Sequence, residues 1–229
     1  MRRLNKTAKV ISVVLKLIVV FASFYGVFLH FFNNASSSAI LLFTIQSNIW
    51  IGTACLIGLI LIIKNAEVKK WMYLVKLVLT VSITLTGVVF CVVLDPRGGS
   101  NAYDLKSVLT HILTPTVAIL DFFVCDYLAN YKKRDCLFAA IPPLYYLGFA
   151  AIGYISNWDF GGGSNYPYFF LDWGSPAGAF GLLSEPPFMG VVYYVLILAA
   201  FVIGVGLLYI WFVGIIKNRS KSVHTDVSP

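Results

Sequence analysis

A threonine hydroxyl attacks a carbonyl only when a base takes its proton. A neutral imidazole is the side chain best suited to that task near neutral pH. Both residue types occur in apolar surroundings here. His111 stands in LTHILTPTVAILDFFVCD, Leu109 to Asp126, a run apolar enough to cross a bilayer that still carries threonines, a proline and two aspartates. Ionisable groups at membrane depth are costly and mark candidate functional sites. Pro115 has no N–H, and its ring clashes with the carbonyl of His111 four residues back, so the helix is predicted to loosen or kink beside the imidazole. Thr44 stands in LLFTIQSN, an unusually polar start for a membrane helix. Ser47 and Asn48 follow Thr44 by three and four residues and share its helical face, and Thr114 follows His111 by three and shares its face. Ser47, Asn48 or loop amides are candidate donors to an oxyanion, a contribution of about 3–4 kcal/mol per donor where it has been measured. Against this chemistry stands a plainer reading: threonine commonly bonds to the preceding helical turn, a membrane proline is tolerated, and His111 bonds to a neighbouring helix.

The elements that position these groups follow from composition. Of 229 residues, 59% are hydrophobic and 12% charged, against about 45–50% and about 25% in soluble domains. The mean hydropathy is +0.83. The chain is therefore read as an all-α integral membrane protein, since strands of a membrane barrel alternate rather than run continuously apolar. Six runs are long enough to span a core of about 30 Å: to about Phe32, then about 39–63, 71–94, 105–130, 136–155 and 188–216. Residues 1–217 form one transmembrane domain and 218–229 a polar tail. The basic start resembles a signal peptide, but the run after it is too long and lacks a small-residue cleavage site, so it reads as a retained first span.

Lys64, Lys69, Lys70, Lys132, Lys133, Arg134, Lys217 and Arg219 fall on the face of the N-terminal cluster, and only Arg97 and Lys106 on the other. The positive-inside rule then places both termini in the cytoplasm of a cell-membrane protein. The long segment 156–187 is aromatic and nearly uncharged, and reads as an outer-interface loop, partly re-entrant. The four cysteines lack metal-ligand spacing and read as buried hydrophobes. No cofactor, metal, nucleotide or nucleic-acid site is indicated; Gly161 to Gly163 lack the strand and helix context of a phosphate loop.

With these spans, Thr44 lies about five residues into the second, roughly 7–8 Å, and His111 about six residues into the fourth, roughly 9 Å, both from the outer side. His30 lies near the outer end of the first span, at a similar level. In the inner half, Asp121 and Asp126 face Lys16 and Lys76 from other spans. Asp121 lies too deep for its short side chain to reach water and needs a partner or a proton, so the expected structural ion pair is Asp121 with Lys76 or Lys16. The alternative is that both lysines snorkel to the interface.

FTIQSN, H-x-x-T-P-T-V-x-x-L-D and YPYFFLD together resemble the androgen-induced-protein family, across all six spans. Animal members of that family are small multi-pass proteins that hydrolyse fatty acid esters of hydroxy fatty acids, and this chain is similar to a bacterial branch. The resemblance implies Thr44 as nucleophile and His111 as base. It departs at Val108, where animal members have a second histidine, and at Ser47, where they have an acid; Asp172 stands in the acidic place of an expanded aromatic motif. The expected function is a membrane lipid-ester hydrolase, with Asp172 or Asn48 orienting the histidine and Asn165 to Pro187 as a lid. The competing expectation is a non-catalytic lipid-binding or transport protein whose polar layer holds a headgroup. Membrane lipids and a lipid ester are the implied partners, and the oligomeric state stays open.

Overall fold

The computed structural model describes residues 6–34, 37–94, 103–125 and 129–225. Arg97 and most of its turn-rich segment, Asp126, and the end of the polar tail lie outside the described residues. Continuous apolar sequence leaves the backbone no water to bond with, so each span satisfies its own N–H and C=O groups as a helix. Six helices result that are long and apolar enough to cross a membrane, and the chain is a multi-pass integral membrane protein. They are α1 (Lys6–Asn34), α2 (Phe43–Ile63), α3 (Lys70–Leu94), α4 (Leu105–Cys125), α5 (Lys133–Ile155) and α6 (Val191–Thr225). Phe21, Leu196 and Trp211 point outward with more than half their surface exposed. Such a surface suits lipid rather than water.

Several boundaries depart from the sequence reading. Residues Ser37–Leu41 form a 3-10 turn and Leu42 is extended, so α2 starts at Phe43. Thr44 therefore sits in the first helical turn, one residue past the helix start rather than about five. Apolar AILL is equally at home in a packed turn, which hydropathy cannot distinguish from helix. The fourth helix is described as far as Cys125, and residues 129–130 are not helical. The fifth starts with a 3-10 segment, Lys133–Ala140, and becomes α-helical at Ile141. Pro142 and Pro143 lie in that first turn, where a missing N–H costs nothing. The last helix runs on to Thr225.

Helix packing relies on small residues, as in membranes generally. A Cβ at Gly26 of α1 would come within 2.7 Å of Thr110 on α4, and one at Gly58 of α2 within 2.8 Å of the Lys16 stem. The main apolar core gathers Leu77, Val81 and Leu85 of α3, Phe122 of α4, and Val202, Tyr209 and Val213 of α6. The loop between α5 and α6 is held by its own bonds. Asp159 Oδ1 accepts from the N–H groups of Gly161 and Gly163, and those glycines hold positive φ, which glycine adopts without a Cβ clash. Phe170 and Leu171 of this loop are buried in the main core.

Candidate functional site

Thr44 reaches its position through the two residues that frame the start of α2. The Tyr146 hydroxyl of α5 donates to the Leu41 carbonyl at 2.9 Å, and the Thr44 N–H donates to the Tyr168 hydroxyl at 3.4 Å. A helix N-terminus has N–H groups without intrahelical partners, and no side chain at Leu42 caps this one; a loop tyrosine does so instead. Burial pushes the Tyr168 phenol up, so it keeps its proton and remains a donor. Thr44 opens onto a cavity of about 70 Å³ whose other polar lining is Thr86, Tyr146 and Tyr168, with apolar walls including Leu85, Phe170 and Val195. That volume falls short of the roughly 300–1,000 Å³ of a ligand pocket.

His111 lies in a π-helical segment, Val108–Leu113, directly before Pro115. Such bulges arise where the regular ladder is interrupted and recur at functional sites. Its Nδ1 lies 3.1 Å from the Ser107 carbonyl and 3.1 Å from Thr110 Oγ1. A carbonyl can only accept, so this bonding assigns the proton to Nδ1 and the lone pair to Nε2. The ring stacks on Phe90 at 4.0 Å between centroids. Phe90 itself begins a second π-helical segment, Phe90–Leu94, on α3. One turn earlier, Gly87 leaves room for the freed His111 carbonyl, which a Cβ there would approach to 2.9 Å.

The two candidates share a neighbour. Asn48 Nδ2 donates to the Thr44 carbonyl at 2.8 Å and to the Thr110 carbonyl at 3.1 Å, tying the backbone at Thr44 to the residue beside His111. Ser47 Oγ lies 3.1 Å from the Thr44 carbonyl and 2.8 Å from Thr86 Oγ1. Among the described residues no hydrogen bond joins Thr44 to His111, and His111 does not line the cavity beside Thr44. Helix α3 presents Thr86 to that cavity and Phe90 to the imidazole.

The expected supporting groups are placed differently. Asn48 spends both amide N–H groups on backbone carbonyls, which leaves neither for an oxyanion in this conformation. Asp172 accepts from the Gly174 N–H at 2.9 Å inside its own loop; Ser107 and Thr110, one helical turn, orient His111. Asn48 Oδ1, Thr114 Oγ1 and His30 Nε2 are buried polar atoms with no hydrogen-bond partner among the described residues. Tyr168 was visible in YPYFFLD as part of an aromatic motif. Nothing in the sequence marked Phe90 or Tyr146.

In the other half of the bundle, Asp121 is fully buried. Lys16 Nζ donates to its two oxygens at 2.6 and 2.9 Å and to Ser12 Oγ at 3.0 Å. Lys76 Nζ reaches Asp121 Oδ2 at 2.8 Å and Cys55 Sγ at 3.0 Å. Three helices are thus fastened at one carboxylate. Cys55 is buried, as its apolar surroundings predict, and also accepts from the Lys76 ammonium. No group of three or more His, Cys, Asp or Glu side chains that could hold a metal ion occurs among the described residues.

Comparison with family models finds no match to this chain, and comparison with curated proteins and with solved structures finds none either.

Proposed function

We propose that the protein is a membrane lipid-ester hydrolase of the androgen-induced-protein type, acting on fatty acid esters of hydroxy fatty acids or similar esters. The observation that carries this reading is the Asn48 bridge, which ties the backbone carbonyl of Thr44 to that of Thr110, the residue before His111. In the reaction, Thr44 Oγ1 bonds to the acyl carbon while its proton passes to His111 Nε2. The ester C–O bond then breaks, and the departing alkoxide takes that proton. Water next adds to the acyl-threonine, giving a proton to His111. The Thr44–acyl bond breaks, Thr44 recovers the proton, and the fatty acid leaves. The Tyr168 hydroxyl supplies a donor for the transient oxyanion. Apo distances between a nucleophile and its base often shorten only when substrate binds. The concentration of basic residues on the face of the termini supports a cytoplasmic location for both ends.

The test uses purified protein and a fluorophosphonate probe, with a long-chain ester as substrate. Wild type and Thr44→Ser are expected to label and turn over. Thr44→Ala and His111→Ala should lose on the order of 10²–10⁴-fold activity while eluting at the wild-type volume. Retained labelling of Thr44→Ala would falsify the assignment of the nucleophile. The missing bond between Thr44 and His111 favours a second reading, lipid binding without turnover. That reading expects copurifying lipid, no ester cleavage by any preparation, and greater sensitivity to Asp121 than to Thr44.

A further inference from the structure

Trp50, Ala54, Ile57 and Leu61 recur at helical spacing on α2, and Trp71, Val75 and Leu79 do so on α3, so each set falls on one face. The two faces wall a cleft of about 680 Å³, within the usual range for ligand sites. It shares no lining residue with the cavity at Thr44. Its mouth lies at the turn between the two helices, where Lys9, Asn65 and Glu67 line it. We infer that this cleft binds one phosphatidylethanolamine molecule, its phosphate at Lys9, its ammonium at Glu67 and an acyl chain between α2 and α3.

Depth selects a whole phospholipid. Helix α2 ends at Ile63 and α3 starts at Lys70, so Asn65 and Glu67 sit at the end of the bundle, where headgroups lie. Lys9 reaches the same turn, its Nζ donating to Asn65 Oδ1 at 2.7 Å. Trp71 lines the mouth and is exposed, as indole side chains are at the boundary between headgroups and hydrocarbon. From Ile62 to Trp50, both in the lining, α2 covers about 18 Å. One leaflet of a core of about 30 Å spans about 15 Å, so the wall carries one extended acyl chain. Ile57 and Val75 are partly exposed, giving that chain a lateral way in. Lys16 and Lys76 line the cleft farther from the turn, but their ammonium groups are bonded to Asp121, Ser12 and Cys55. They take no part in the head, and the chain passes their methylene stems. Charge then selects the head. An ammonium has three donors; among the described residues Lys9 spends one on Asn65, which leaves two for a phosphate. The Glu67 carboxylate is exposed and unpaired among the described residues. A carboxylate takes strong bonds from a primary ammonium, whereas a trimethylammonium has no N–H to give and a glycerol head no positive charge. Lys64, Lys69 and Lys70 lie outside the lining and attract the phosphate that all these lipids share, so Glu67 makes the distinction. The inference stands apart from the hydrolase reading, because no residue of the Thr44 cavity takes part.

The experiment mixes the intact protein in nonionic detergent with equal amounts of phosphatidylethanolamine, phosphatidylcholine and phosphatidylglycerol of the same chain length, and reads retained lipid by native mass spectrometry. One phosphatidylethanolamine per chain is expected, held at least about threefold over either competitor, the size of a partly exposed ion pair. Glu67→Gln should abolish that preference, and Glu67→Lys should reverse it in favour of phosphatidylglycerol. Both changes fall in an exposed turn and leave the core intact. Ile57→Trp, at a partly exposed wall position, should weaken retention of all three lipids by at least about tenfold. Thr44→Ala should retain lipid as wild type does, which separates this cleft from lipid held beside Thr44. Equal retention of the three lipids by wild type overturns the proposal, as does an unchanged preference in Glu67→Lys, wild-type retention by Ile57→Trp, or a dimer of the chain that holds no lipid.

Discussion

The bundle has two polar layers, and they are built in opposite ways. Around Asp121, every strong donor described meets an acceptor at 3.0 Å or less, and the acceptors come from α1, α2 and α4. Around Thr44 and His111 the bonds run mostly to backbone carbonyls of the same helices, and buried atoms of Asn48, Thr114 and His30 lack partners among the described residues. Leaving a buried polar atom unmatched costs about 1–3 kcal/mol, and such costs persist where another requirement outweighs stability. The first layer fastens helices; the second carries π-helical segments on both α3 and α4.

Substitutions can break that contrast. Asp121→Ala leaves two ammonium groups without their shared carboxylate and should cost about 3–5 kcal/mol, read as a large fall in thermal unfolding temperature in detergent. If it unfolds no sooner than wild type, the fastening role is wrong. Next comes Gly87→Ala, whose new methyl meets the His111 carbonyl and Pro115. Overpacking of this kind costs about 1–3 kcal/mol, and because the contact is at His111 it should lower ester turnover out of proportion to stability. Tyr168→Phe removes the partner of the Thr44 N–H and should cost about 0.5–1.5 kcal/mol; a fall in kcat with KM unchanged marks an oxyanion donor, whereas a pure stability loss marks a cap.

The smallest effect belongs to Asp104, which caps α4 by accepting the Ser107 N–H at 2.9 Å. Burial pushes its carboxyl up, but the Ser107 N–H and the Lys106 ammonium outweigh it and hold it below the usual carboxylate range. A depressed folded-state value means stability present above the unfolded value of about 3.9 and lost as pH falls through the folded one. Asp104→Ala should therefore cost about 1 kcal/mol near neutral pH and nothing in strong acid. A pH-independent difference removes the ionised cap from the account.

Much of the fold could be read from residue order, because hydropathy accumulates along a span and needs no knowledge of neighbours. Asp121, Lys16 and Lys76 could be singled out likewise, since no short carboxylate escapes from that depth. Pro115 announced an irregularity at His111, although not its π-helical form. The start of α2 is not legible in the sequence, because AILL packs as well in a turn as in a helix, and Asp172, an alternative to Asn48 for orienting His111, bonds to Gly174 within its own loop. What residue order determined was the inventory: six apolar spans and the few polar groups that could not reach water. Tertiary structure alone decided which of those groups meet, since a hydrogen bond forms over about 3 Å and helix rotation moves a side chain much farther than that. It put Phe90 on the imidazole, Tyr168 on the end of α2 and Gly58 beside Lys16, contacts made between segments whose relative placement no single stretch of sequence encodes.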